Sequence, residues 1–82
     1  MISRPFIDVD LHGCRQDEAI KKIEAALKQA DAGTYHIRLI HGYNRGKALM
    51  HMIQDEYRYD HRIRRMMPGD NPGITVLVIR EL

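Results

Sequence analysis

The chain has no tryptophan, one phenylalanine and one cysteine among its 82 residues. A lone cysteine, Cys14, closes no internal disulfide, which fits a reducing, cytoplasmic setting. With one phenylalanine and four tyrosines, a broad base-stacking platform is not evident. No apolar run approaches the roughly 20 residues that span a bilayer. The opening Met1-Ile2-Ser3-Arg4-Pro5 lacks the pattern of a secretory signal, so no membrane partner is expected. No repeat, linker or low-complexity segment interrupts the chain, and residues 1–82 read as a single small domain.

What is present is ordinary for a globular protein: 44% apolar and 29% charged residues. A chain this short buries only about 60–65% of the surface its unfolded form exposes, so the core is modest. The net charge of +2 is unevenly spread. Residues 1–32 carry five Lys/Arg against six Asp/Glu, whereas residues 33–82 carry eight against five, with four of the five histidines. The second half is therefore the anion-facing half, or else a solvated basic surface.

Residues 6–11 alternate Ile7, Val9 and Leu11 with Asp8 and Asp10, the period of a strand, which His12-Gly13 ends. A helix over residues 17–30 buries a stripe including Ala19, Ile20, Ile23, Ala26 and Leu27, with Asp17 and Glu18 at its positive end. Residues 35–41 form a second strand, residues 42–46 a loop, and residues 47–57 a second helix with Leu49, Met52, Ile53 and Tyr57 on one stripe. Residues 62–67 are expected as a third strand. The turn formers at residues 68–73 separate it from a nearly all-apolar strand at residues 74–79. The order β-α-β-α-β-β predicts an α/β fold of the α+β two-layer kind. It has a mixed four-stranded sheet with two helices on one face, strands one and two parallel, and strands three and four antiparallel.

The two glycine-ended motifs, Asp10-Leu11-His12-Gly13 and His41-Gly42-Tyr43-Asn44-Arg45-Gly46, each sit where a strand gives way to a helix. In parallel sheets that is where ligands bind. Alternation puts Asp10 and His12 on the face opposite the apolar set, where a carboxylate can orient an imidazole for proton transfer. The competing role for Asp10 is to brace the turn by accepting backbone N–H groups. In the second motif Gly42 and Gly46 permit close approach, Asn44 tolerates the left-handed region in a glycine's place, and the following helix start offers free N–H groups to an anion. Arg45 and Lys47 add charge there, although a tight turn without a ligand fits the same residues. On the third strand, Arg62 and Arg64 share one face, suited to backbone phosphates or to blocking an exposed edge. A two-histidine, one-carboxylate metal set of Asp10, His12 and His41 lacks any diagnostic local spacing. No cofactor is evident; a divalent ion such as magnesium or manganese is left open and not specified by the pattern, and nothing in it specifies an oligomer.

Val-Asp-Leu-His-Gly at residues 9–13 followed by Glu18-Ala19 resembles the opening of the small MutS-related (Smr) domain, with its Leu-Asp-Leu-His-Gly strand. Residues 40–46 resemble that family's His-Gly-x-Gly-x-Gly loop, and Gly73-Ile74-Thr75-Val76 its closing Gly-x-Thr-Val strand. The resemblance spans nearly the whole chain. It implies a nucleic-acid-binding fold similar to the C-terminal domain of bacterial translation initiation factor three. The family's members are reported as nicking endonucleases on DNA, as RNA endonucleases, or as binding modules. Carried over by position are Asp10, His12, His41, Gly42 and Gly46. The chain departs from the pattern at Asn44, which replaces a glycine, at Arg45, which replaces a small residue, and at Arg15, which stands where a threonine caps the helix. The expectation is thus a DNA- or RNA-binding domain, a phosphodiester-cleaving nuclease through Asp10, His12 and His41, or alternatively a non-catalytic binding module. A protein-interaction module pairing through the sheet edge is the third class, and it predicts binding insensitive to salt.

Overall fold

The computed structural model describes residues 5–81. In chain order the elements are β1 (Phe6–Asp10), α1 (Gln16–Gln29), β2 (His36–Ile40), α2 (Lys47–Tyr57), β3 (Arg65–Pro68) and β4 (Ile74–Val78). They form a four-stranded sheet in the order β1-β2-β4-β3. β1 pairs parallel to β2, while β4 runs antiparallel to both β2 and β3. The β-α-β crossover through α1 brings β2 beside β1. The nearly all-apolar β4, with Thr75 its one polar residue, then takes the interior place beside β2.

The core lies on one side of the sheet. Ile37, Leu39 and Leu77 meet the stripes of both helices, Ala19, Ile23, Ala26 and Leu27 from α1 and Leu49, Ile53 and Tyr57 from α2. α1 starts one residue before the position the sequence pattern gives. Its first turn is held by the Glu18 carboxylate, which accepts the Arg15 N–H at 3.1 Å. The Arg15 guanidinium, a donor only, supplies no acceptor cap in return. The opposite sheet face carries no helix. There Val78 lies in register between His36 and Arg65, and Val76 between Arg38 and Met67. Arg38 reaches across to its register partner Asp8 in a bidentate pair of 2.6 and 2.9 Å.

The third strand differs from the sequence expectation: it runs over Arg65–Pro68 and not over residues 62–67. After α2 the chain makes two successive turns, with the Asp60 N–H donating to the Tyr57 carbonyl and Ile63 N–H to that of Asp60. Asp60 also accepts the backbone N–H of Arg62 at 2.9 Å. Ile63 is buried at the end of these turns, and pairing with β4 begins only when Arg64 N–H donates to the Val78 carbonyl. Arg62 and Arg64 therefore do not share a strand face. The short edge strand ends on Pro68, which has no N–H to expose.

Candidate functional site

Because β1 and β2 are parallel with Asp10 opposite Ile40, the segments that follow them emerge side by side. The Leu11 N–H donates to the Ile40 carbonyl at 2.9 Å and carries the pairing one residue further. Between the two emerging turns lies a crevice of about 650 Å³, lined by His12, Gly13, Cys14, residues 41–46 and Leu49.

The loop at residues 41–46 is rigidly framed. The Gly73 carbonyl accepts both the His41 and the Gly42 backbone N–H at 3.0 Å. Gly42 has φ +88°, a conformation that side chains rarely adopt. Gly46 is required for a different reason: a Cβ there would stand 2.1 Å from the Gly42 carbonyl oxygen and 2.2 Å from that of His41. Asn44 does not take a glycine's conformational role, because among the described residues only Gly13 and Gly42 have positive φ. The left-handed reading of Asn44 is thus corrected: the loop turns on Gly42, and Asn44 is simply exposed.

His41 is 2% exposed. Its Nδ1 lies 2.7 Å from the Gly42 carbonyl oxygen and its Nε2 2.8 Å from the Thr75 hydroxyl. A carbonyl only accepts, so Nδ1 carries the proton, and in the neutral ring Nε2 accepts from Thr75. Both nitrogens are occupied inside the protein. His12 is the opposite case: it is exposed, and among the described residues its ring has no hydrogen-bond partner. Its Cδ2 lies 3.9 Å from where a Cβ on Gly42 would be, so the imidazole stands over the glycine. Asp10 does not hold that imidazole. Its Oδ1 accepts the His12 backbone N–H at 3.0 Å, fixing the turn from which the ring projects. Among the described residues no three of His, Cys, Asp and Glu converge as a ligand set, so Asp10, His12 and His41 do not assemble one.

Positive charge reaches the crevice from α2 and the loop. Residues 47–49 open the helix, and their N–H groups lack intrahelical acceptors, the first such bond running from Met50 N–H to the Gly46 carbonyl. Arg45 is exposed with no ion pair among the described residues, and the Lys47 ammonium sits 5.1 Å from the Tyr43 ring centroid. Arg62 is committed elsewhere. It forks onto Asp60 at 2.7 and 2.9 Å and onto Glu24 of α1 at 3.1 Å. Its hydrogen bonds hold the Asp60 carboxyl down to about 2 and Glu24 below the usual carboxylate range. Burial, with the bond it donates to Glu24 at 2.8 Å, pushes the Tyr57 phenol up. This cluster ties α1 to the end of α2 and has no free cation to offer a ligand. Arg64 is exposed, but it adjoins Arg65, whose partner Val78 pairs with His36 at the start of β2. It therefore lies at the far end of the sheet, roughly 15 Å from the crevice at the strand rise.

The sequence motifs thus bring Asp10, His12, His41, Gly42, Asn44, Arg45, Gly46 and Lys47 to one edge, and leave Arg62 and Arg64 away from it. Gly73 and Thr75, which fix the loop, were not among the residues the sequence singled out for the site. Their signal is the Gly-x-Thr-Val strand, but nothing in it names His41 as the partner.

A family model described as the Smr domain matches residues 9–78. Over 82 residues the chain is 36% identical to an endonuclease MutS2 of Thermus thermophilus, a match that covers 94% of this chain and 11% of that protein. The crystal structure of the Smr domain of Thermus thermophilus MutS2 superposes with a TM-score of 0.80 at 32% identity, covering 92% of this chain and 99% of that one.

Proposed function

Because this chain belongs to the Smr domain family, we propose that its crevice takes a backbone phosphate of DNA or RNA and that His12 transfers a proton in cleaving the phosphodiester. One juxtaposition carries the reading. An exposed imidazole without a partner stands over Gly42, in a loop that leads into the N-terminus of α2, with Arg45 and Lys47 beside it. The free N–H groups of residues 47–49 and the two cations offset charge that develops on the phosphate. His12 gives or takes the proton at the leaving or attacking oxygen. His41 does not transfer a proton, since both its nitrogens are engaged; it positions the loop through Thr75. Asp10 positions His12 through the backbone of the turn. The single thiol suits a cytoplasmic setting, and among the described residues no helix is long and apolar enough to cross a membrane.

One observation favours a binding-only domain: His12 has no carboxylate to orient its ring, because Asp10 is spent on the turn. The two readings separate in one assay. Labelled DNA and RNA of matched sequence are incubated with magnesium, with manganese and with chelator, using wild type and His12→Ala. Cleavage lost in the variant while binding persists supports the nuclease. Binding without cleavage, or cleavage equal in both proteins and so due to a contaminant, leaves the binding module.

A further inference from the structure

A second cavity, of about 320 Å³, opens on the other side of Tyr43. It lies between α2 and the β3–β4 hairpin, with Met50 and Gln54 on one wall and Met66, Met67 and Pro72 on the others. Tyr43 borders both this cleft and the phosphate crevice. We propose that the cleft is a subsite for one unpaired nucleobase, turned out of its strand while the neighbouring phosphate sits in the crevice. The inference rests on the phosphate reading above and adds the form of nucleic acid that the domain selects.

The chemistry of the walls fits a flat heteroaromatic ring. Thioethers and proline rings offer polarizable, apolar surface, and methionines adapt to an irregular gap. Tyr43 is 53% exposed, and among the described residues its hydroxyl has no hydrogen-bond partner. The Lys47 ammonium covers one face of the ring, which leaves an aromatic surface for stacking and a cation near the phosphate that the base belongs to. The Gln54 amide also has no partner among the described residues. It presents both donor and acceptor, as reading a base edge requires. The Thr75 hydroxyl at the cleft is already bonded to His41, so contact there is transmitted to the phosphate loop. A paired base cannot enter, because its edge and faces are held in the duplex; an unpaired one is freed at little cost.

The test is fluorescence anisotropy with three labelled duplexes, made in both DNA and RNA: fully paired, carrying one unpaired adenine, and carrying an abasic nucleotide at the same place. Wild type, Tyr43→Ala and Tyr43→Phe are compared, with circular dichroism to confirm that each is folded. Loss of one base–aromatic stack corresponds to about a 5- to 150-fold change in affinity. Wild type is therefore expected to prefer the unpaired adenine over both other duplexes by at least about fivefold. Tyr43→Ala should bring that ratio to within about twofold, and Tyr43→Phe should keep it. Equal wild-type affinity for the three duplexes, or a preference that survives Tyr43→Ala, overturns the base subsite and leaves the phosphate reading standing. Failure to bind any of them overturns both.

Discussion

Gly46→Ala offers the sharpest test of how the loop at residues 41–46 is held. Gly46 has φ −92° and ψ 1°, a conformation open to alanine, so the effect of the substitution is purely steric. The added Cβ would meet two carbonyl oxygens at 2.1 and 2.2 Å, whereas carbon and oxygen normally stay about 3.3 Å or more apart. Relief needs a movement of over about 1 Å in backbone that the Gly73 carbonyl holds from the other side. Overpacking of this kind costs about 1–3 kcal/mol, with the upper end applying because the obstacle is backbone and not a flexible side chain. The loss of unfolded-state freedom on replacing glycine returns about 0.4–1 kcal/mol. The net expectation is a loss of about 2 kcal/mol, which for a chain of this size lowers Tm by roughly 8–16 °C. Gly13→Ala is the control: its φ is +76° and nothing lies within 4 Å of the added carbon, so only backbone strain counts. That strain is about 1–2 kcal/mol before the same entropic return. Thermal and urea unfolding of both variants decide the matter. If Gly46→Ala is no less stable than Gly13→Ala, the account of a sterically closed loop is wrong.

The histidines should separate by stability. His41→Ala leaves the Gly42 carbonyl and Thr75 without their partner in a buried site and is expected to cost about 3 kcal/mol in urea unfolding, while His12→Ala stays within about 0.5 kcal/mol of wild type. Asp60 is lowered to about 2, chiefly by the Arg62 hydrogen bond. A carboxyl depressed in the folded state contributes stability above its unfolded value and loses it as pH falls through the folded one. Arg62→Met should therefore cost about 1 kcal/mol at neutral pH, given the solvent exposure of the pair, and flatten the stability loss between about pH 4 and 2. A profile as steep as wild type in that window would count against the ion pair. In nucleic-acid binding, Arg45→Ala and Lys47→Ala should each reduce the slope of log K against log salt by about 1, whereas Arg64→Ala leaves it unchanged. An equal effect at Arg64 would mean that the bound strand runs the length of the sheet.

The sequence made the architecture legible because its periodicities are local. The alternation at Ile7, Val9 and Leu11 and the stripes at Ile23 and Leu49 need no partner to be read, and α2 fell on the predicted residues 47–57. The third strand was misplaced because Ile63 is apolar for a different reason: it anchors a turn under the helices before the ladder starts. The pairing of Arg62 with Glu24 spans 38 residues, and no local pattern carries it. Charge alone marked Arg62 as available, and only the fold shows it taken. At the site, the motifs located the crevice, but the division of labour between His12 and His41 depended on Thr75, 34 residues beyond His41.

The strand order has a consequence for how the crevice comes into being. β4 follows every other described strand in sequence yet lies between β2 and β3. Residue 73 supplies the carbonyl on which the loop at residues 41 and 42 hangs. A nascent chain that has emerged only as far as α2 holds both glycine motifs, but β2 then has an open edge and His41 has no Thr75. The crevice therefore cannot be assembled stepwise from its own motifs. It appears together with the long-range closure of the sheet, the slow kind of contact in folding. A truncated or stalled product carrying both motifs would lack the Gly73 carbonyl and the Thr75 hydroxyl that hold residues 41 and 42, so a formed crevice doubles as a report that synthesis has passed residue 75.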